Sequence, residues 1–262
     1  MGRKCTEGAD GALVAWTLVV PLKPLARAKS RLAAAVDDTL RPSLALAFAQ
    51  DTVTAALSCD VVRDVVVVTD DALARAELGA LGARVVPDTP AAGLNAALAH
   101  GARAARSVLR DTAVAALNAD LPALRPTELS RVLQAASAFE RAFLTDAAGI
   151  GTTFLSALPG AELSPAFGGP SRLSHTASGA VEILIQGVDS VRRDVDTGDD
   201  LRIALSLGVG PHTARHFVSR SAPGAAAHVP GMPGVPGAPG APGAPGAPAD
   251  APLPDPPSVP GG

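Results

Sequence analysis

Ala113-Val114-Ala115-Ala116-Leu117-Asn118-Ala119-Asp120-Leu121-Pro122 is an unbroken apolar run that ends in an amide, a carboxylate and a proline. A run without polar alternation reads as a strand buried on both faces. The proline stops it, and Asp120 stands just past its end. Trp16-Thr17-Leu18-Val19-Val20-Pro21-Leu22 and Asp64-Val65-Val66-Val67-Val68-Thr69 have the same character. Shorter segments at 83–86 and 141–145 complete the predicted strands. Helical patterning fills the intervals at 43–57, 71–78, 93–109 and 126–138, the last with Pro126 in its first turn. This alternation predicts an α/β fold, a mostly parallel sheet with helices on both faces. In such sheets ligands bind beyond the carboxyl ends of the strands, so the residues after each strand are the candidates for chemistry.

The 262-residue chain is 47% hydrophobic and 18% charged, enough for a sizeable core. Aromatic residues make up only 3%, so Ala, Val and Leu must build that core. A net charge of −3 excludes the strongly basic footprint of a nucleic-acid-binding protein and a polybasic membrane patch. No apolar run approaches the ~20 residues that span a bilayer. Cys5 and Cys59 cannot make a disulfide framework; Cys59 reads as a small core residue, Cys5 as part of a loose terminus, and the chain as cytoplasmic. Arg3-Lys4 followed by the apolar stretch 13–22 imitates a secretory signal, but Glu7 and Asp10 break its charged region. Met1-Gly2 with Thr6 fits a loose myristoylation pattern with no basic cluster behind it.

The composition changes near the end. Residues 221–262 hold 13 of the 24 prolines and nine of the 26 glycines, with Asp250 and Asp255 as their only charges. Residues 231–248 are six Gly-X-Pro triplets. Such a segment buries too little apolar surface to offset its ordering entropy. The expected organisation is a flexible N-terminus at 1–12, one domain at 13–217 and a disordered Pro/Gly-rich tail at 218–262.

The strand ends carry the chemistry. The chain has 19 arginines and three lysines, and two of those lysines, Lys23 and Lys29, follow the first strand with Arg31 beside them. Lysine is a compact charge for phosphate oxygens, and arginine can bind them bidentately. The loop lacks Gly-x-Gly-x-x-Gly, so a dinucleotide fold has no support there. Asp120 is a hard oxygen ligand suited to Mg²⁺. In Asp194-Val195-Asp196-Thr197, the two carboxylates alternate on one face of an extended segment and could complete a metal site with Asp120. Asp199 and Asp200 instead read as the start of a helix over 201–207, capped by the preceding residues. Asp146-Ala147-Ala148-Gly149-Ile150-Gly151-Thr152-Thr153 offers glycines for close backbone approach and then two hydroxyls. Ser171, after Phe167-Gly168-Gly169-Pro170, reads as the N-cap of a helix through 178, an arrangement that suits a small anion between Thr153, Gly168 and Ser171. His175 on that helix has no partner at metal spacing and no nucleophile motif around it, which points to a structural or substrate-side hydrogen bond.

Taken in order, Val20-Pro21-Leu22-Lys23 with Ala28-Lys29-Ser30-Arg31-Leu32, Gly93-Leu94-Asn95-Ala96-Ala97-Leu98, Ala119-Asp120-Leu121-Pro122, Gly149-Ile150-Gly151-Thr152-Thr153, Phe167-Gly168 with Ser171 and His175, and Asp194-Val195-Asp196-Thr197 resemble the 2-phospholactate/phosphoenolpyruvate guanylyltransferase family of coenzyme F-420 biosynthesis. The resemblance covers about residues 14–212. It implies one Rossmann-like nucleotidyltransferase domain of the GT-A-like kind. By the family's pattern Thr153, Gly168 and Ser171 hold the phospho-acid, while Lys23, Lys29 and Arg31 face the triphosphate and Asn95 lies near the nucleoside. Asp120 and Asp196 would bind Mg²⁺, with Asp194 as a further candidate. The implied partners are GTP and a phospho-acid, with a homodimer allowed and no nucleic acid or membrane. The tail has no family counterpart.

The implied reaction joins GMP from GTP to phosphoenolpyruvate, giving enolpyruvoyl-2-diphospho-5'-guanosine and pyrophosphate. The Ala/Arg-rich, Lys-poor usage suggests a high-GC bacterium and so favours that acid; 2-phospho-L-lactate, giving lactyl-2-diphospho-5'-guanosine, is the alternative. Two readings stand further off. One is a molybdopterin-type nucleotidyltransferase, which would usually carry a Gly-rich loop where this chain has Val20-Pro21-Leu22-Lys23. The other is a non-catalytic scaffold acting through the Gly-X-Pro tail. Truncation at Arg220 separates enzyme from scaffold: pyrophosphate release should survive it, and a tail-driven function should not.

Overall fold

A computed structural model of the protein describes residues 14–27, 29, 32, 36–37, 39–89 and 91–218. The expected N-terminal arm at 1–12, Cys5, Arg31 and the tail beyond 218 lie outside them. The elements, in chain order, are β1 (Trp16–Pro21), a 3-10 turn (Leu25–Arg27), α1 (Arg41–Leu57), β2 (Val62–Val68), α2 (Ala72–Ala80), β3 (Arg84–Val86), α3 (Leu94–Val108) and β4 (Ala113–Leu117). Then come α4 (Pro126–Ala136), β5 (Arg141–Thr145), β6 (Thr152–Ala157), α5 (Ser171–Ala177), β7 (Val181–Glu182), α6 (Asp189–Arg192), α7 (Gly198–Leu207) and α8 (Pro211–Val218).

The strands form one seven-stranded sheet in the order β3-β2-β1-β4-β6-β5-β7. Strand β1 runs parallel to β2 and β4, β2 parallel to β3, and β5 parallel to β7. Strand β6 is antiparallel to β4 and β5. The sheet is thus mostly parallel, as the uninterrupted apolar strands predict. The antiparallel β6 is the departure: its residues read from sequence as the end of a glycine loop, although Phe154-Leu155 within it is fully buried.

Strand alternation sends side chains to two cores. Leu18, Val20, Val65, Val67, Ala115 and Leu117 pack on one face with Ala49 and Val53 of α1 and Leu129 and Val132 of α4. Val19, Val66, Val68, Val114 and Ala116 pack on the other with Ala97, Leu98, Ala102 and Ala105 of α3. Cys59 is buried in the first of these cores, as its apolar context predicts. A third cluster joins Leu32, Leu44, Phe48, Ala123, Val195, Leu201 and Ala204, and it ties the loop after β1 to the segment before α7.

Helix α3 lies very close to the sheet. A Cβ on Gly101 would meet Val19 Cγ1 at 2.4 Å and Val68 Cγ2 at 2.7 Å. Both valines are locked in central strands, so neither can yield. Gly101→Ala should therefore lower the free energy of unfolding by about 1–3 kcal/mol, the usual cost of overpacking a core. Urea denaturation of the two proteins measures it; equal stability would show that α3 can lift without cost.

Candidate active site at the divergence of β1 and β4

Strands β1 and β4 are neighbours, but the chain moves outward to β2 and β3 after β1 and to the opposite side after β4. Loops leaving such a pair diverge and open a crevice at their carboxyl ends. A cavity of about 660 Å³ occupies it, lined among others by Lys23, Lys29, Asp88, Asn118, Asp120, Asp146, Thr152, Gly168, Ser171, Asp194 and Asp196.

The start of the loop after β1 is tied down twice. The Leu22 amide donates to Val68 O at 2.9 Å. The Leu25 amide donates to Asp71 Oδ2 at 2.9 Å, and the other oxygen of Asp71 caps α2 through the amides of Leu73 and Ala74. Burial opposes the charge of Asp71, but the three amides outweigh it and hold the carboxyl below its ordinary value. Lys23 is exposed. Lys29 adopts φ 58°, a left-handed backbone uncommon outside glycine, and its side chain turns inward to 9% exposure.

The Lys29 ammonium sits between two carboxylates. It donates to Asp120 Oδ2 and, at 3.1 Å, to Asp196 Oδ1. Burial alone would lower its pKa, yet the charges of Asp120 and Asp196 raise it, so the lysine stays protonated. Asp194 accepts from Asn118 Nδ2 at 3.1 Å. Burial first, then the nearby charges of Asp120 and Asp196, push its carboxyl up to about 7. The Val195 amide donates to Asp120 O at 3.0 Å, which stitches the 194–196 segment onto the end of β4. Thr197 and Asp200 form a reciprocal capping box on α7, and Asp199 pairs with Arg202. Those two carboxylates are therefore helix-start residues, as expected.

The donors fit a hard cation. Mg²⁺ takes one or two protein carboxylates together with substrate phosphates, and Asp120 and Asp196 already share a positive charge supplied by Lys29. Among the described residues no three His, Cys, Asp or Glu side chains form a ready-made cage. The arrangement suits an ion held partly by the substrate.

Across the cavity the antiparallel β6 begins at the same sheet edge, with the Asn118 amide donating to Thr153 O at 3.1 Å. Successive strand residues face opposite ways. Thr152 lines the cavity, whereas Thr153 is fully buried with no hydrogen-bond partner at Oγ1. Ser171 is the first residue of α5, not its N-cap; Pro170 occupies the cap position and makes no side-chain cap bond. The Ser171 hydroxyl instead donates to Thr152 Oγ1 at 3.1 Å. Gly168 has φ 105°, a conformation that glycine permits, where the chain turns beside the cavity. Asn95 does not line the cavity. Its Nδ2 donates to Phe167 O at 3.0 Å and its Oδ1 accepts from Phe167 N at 2.8 Å, so it clamps the loop that carries Gly168.

His175 is buried and its hydrogen bonds define its tautomer. Nε2 accepts from the Ala166 amide at 3.0 Å, which leaves the proton on Nδ1, 3.0 Å from Thr152 Oγ1. A protonated Nδ1 cannot take a proton from Thr152. The Ser171–Thr152–His175 chain is therefore not a nucleophile–base pair. Burial, with a smaller contribution from Arg141, lowers the imidazole to about 4. Asp88 escaped the sequence reading, and Asp146 and Thr152 entered it only as part of the 146–153 stretch, although Asp88 and Asp146 each follow a strand closely.

A family model described as "Guanylyl transferase CofC like" matches residues 16–220. The chain belongs to this family. It is 69% identical over 199 residues to a protein of Streptomyces coelicolor named phosphoenolpyruvate guanylyltransferase, covering 76% of this chain and 94% of that one. A Streptomyces avermitilis protein of the same name is 68% identical over 209 residues, 80% of this chain and 97% of that one. The fold is that of nucleotidyltransferases. A nucleotidyl transferase from Methanothermobacter thermautotrophicus matches with a TM-score of 0.56 and 24% identity, over 74% of this chain and 97% of its own. A cytidylyltransferase from Leptospira borgpetersenii matches with a TM-score of 0.50 and 13% identity, over 79% and 95%. Among the described residues no helix is long and apolar enough to cross a membrane.

His175 should make the fold of this guanylyltransferase-family protein less stable in acid. Its folded value, about 4, lies below the ordinary 6.5 of the unfolded chain. The unfolded state binds the proton more readily, so the stabilisation is complete above pH 6.5 and is lost as pH falls toward 4. The full effect is about 3 kcal/mol, of which about 2 kcal/mol is gone by pH 5. Urea unfolding of wild type and His175→Asn at pH 7.5 and pH 5 should show the wild type losing more; an equal loss in the two proteins would refute the assignment.

Proposed function

We propose that the protein transfers GMP from GTP to phosphoenolpyruvate, giving enolpyruvoyl-2-diphospho-5'-guanosine and pyrophosphate, as a step of coenzyme F-420 biosynthesis. What supports this most is that one cavity holds both the Lys29–Asp120–Asp196 cluster and the polar pocket of Thr152, Gly168 and Ser171. Relatives named phosphoenolpyruvate guanylyltransferase at nearly 70% identity make that acid the first acceptor to test.

The reaction asks little proton chemistry of the protein. A phosphate oxygen of the acid attacks the α-phosphorus of GTP. A new P–O–P link forms, the bond from the α-phosphorus to the β-bridging oxygen breaks, and pyrophosphate departs with that electron pair. The attacking oxygen is already anionic at neutral pH, so no general base is required, and His175 is spent on Thr152 and Ala166. The work left is alignment and charge neutralisation. Lys23 and Lys29 face the triphosphate, and Arg31, two residues after Lys29 in sequence, would add a third cation to it. Asp120 and Asp196, with Asp194 beside them, would hold Mg²⁺, whose contribution is to neutralise phosphate oxygens as charge shifts to the leaving group. The acid's anionic groups lie against the pocket of Gly168, Ser171 and the start of β6 at Thr152-Thr153. Asn95 serves by holding Phe167 in place.

Asp120→Asn should lower kcat by about 100-fold or more, the scale of losing a group that organises transition-state charge, with thermal unfolding near that of the wild type. The assay is pyrophosphate release with GTP, Mg²⁺ and either phosphoenolpyruvate or 2-phospho-L-lactate. Near-normal turnover in a folded Asp120→Asn would sink the metal assignment, and release with 2-phospho-L-lactate alone would replace the acceptor.

A further inference from the structure

The places proposed for the acid and the triphosphate leave a second flank of the cavity uncovered. Val68 at the end of β2, Leu94 and Ala97 of α3, Pro21 at the end of β1 and Leu22 just past it line it with apolar surface. Asp88, two residues past β3, lines the same cavity. The other lining carboxylates follow β4 or β5 or belong to the 194–196 segment. The backbone of Asp88 is fixed: its amide donates to Asp70 Oδ1 at 2.9 Å and its carbonyl accepts from Ala91 N at 3.0 Å. Its carboxylate is not so provided for, since Oδ1 is enclosed and has no hydrogen-bond partner. A carboxylate oxygen shut off from water without a donor is costly, and such a group beside a ligand cavity calls for an explanation.

The donors of a nucleobase supply one. With the triphosphate at Lys29 and Asp120 and the acid at β6, the nucleoside is left with the β2–β3 flank. A flat base suits its apolar wall. Guanine presents N1–H and its 2-amino group side by side, and a single carboxylate accepts both. Adenine and cytosine set an acceptor nitrogen next to their amino group, and uracil flanks its N–H with two carbonyls. Each of those turns a lone pair toward the carboxylate, and a site built to accept hydrogen bonds discriminates strongly against such a partner.

We propose that Asp88 reads the Watson–Crick edge of guanine and makes this enzyme selective for GTP. The inference rests on the GTP-dependent transfer above and names the residue behind its nucleotide choice. Asp88→Asn provides a gain-of-function test. Xanthine carries a carbonyl where guanine carries the 2-amino group, and an amide can donate to that carbonyl while still accepting from N1–H. Equilibrium binding of GTP and XTP, together with pyrophosphate release on phosphoenolpyruvate, is measured for wild type, Asp88→Asn and Asp88→Ala. Asp88→Asn should weaken GTP binding by about 30-fold, the scale of a charged hydrogen bond lost, and move the XTP:GTP preference toward XTP by about 100-fold or more. Asp88→Ala should lose GTP without gaining XTP. A folded Asp88→Asn that keeps the wild-type preference overturns the inference. If wild type selects GTP over XTP in binding and Asp88→Asn reverses this, yet no pyrophosphate is released with phosphoenolpyruvate, the base reading stands and the acceptor is wrong.

Discussion

The site depends on one electrostatic constraint: two carboxylates share one ammonium, with a third carboxylate close by. Two like charges about 4 Å apart repel by roughly 4 kcal/mol at the effective dielectric of a protein surface. Asp120, Asp194 and Asp196 would drive one another apart without a cation among them. Lys29 supplies that charge from a left-handed backbone position, and even so Asp194 stays under pressure to take a proton. The protein holds the cluster together with apolar packing rather than with further charge. Leu32, three residues past Lys29, and Val195, between the two aspartates, are buried in the same cluster. That shared packing brings the loop after β1 and the segment before α7 to the same place.

The second constraint is the reversal at β6. A parallel strand would begin at the far edge of the sheet. Because β6 runs antiparallel, its first residues come to the edge where β1, β4 and β5 end. This is what sets Thr152 opposite Lys29. The loop carrying Gly168 is then held from two directions, by Asn95 of α3 and by His175 of α5. Three backbone groups of two adjacent residues, Ala166 N–H, Phe167 N–H and Phe167 C=O, are thus satisfied by side chains. A loop so held presents its glycines to a ligand without having to be ordered by it, which lowers the entropic cost of binding.

Much of this was legible along the chain. Strands buried on both faces have no polar alternation, so β1, β2 and β4 are plain in sequence, and with them the positions of Lys23, Lys29 and Asp120. Asp194 and Asp196 were legible because alternation about a buried Val195 puts them on one face. Other features resisted for stated reasons. Strand β6 follows a glycine loop, and its direction is set by which neighbours it meets. Asn95 matched a family motif as a nucleoside-side residue, but its amide is committed to Phe167. Ser171 has the type and context of an N-cap, yet Thr152 competes for its hydroxyl.

The sequence by itself determined the α/β architecture, the apolar core of Ala, Val and Leu, and the residue types gathered at the strand ends, because these follow from local periodicity and burial. Only the tertiary structure decided that β6 reverses, that Thr152 rather than Thr153 faces the cavity, that His175 is held neutral, and that Asp88 lines the same cavity as Lys29. Each of these depends on which distant groups share a hydrogen bond or a face, and one-dimensional spacing carries no record of that.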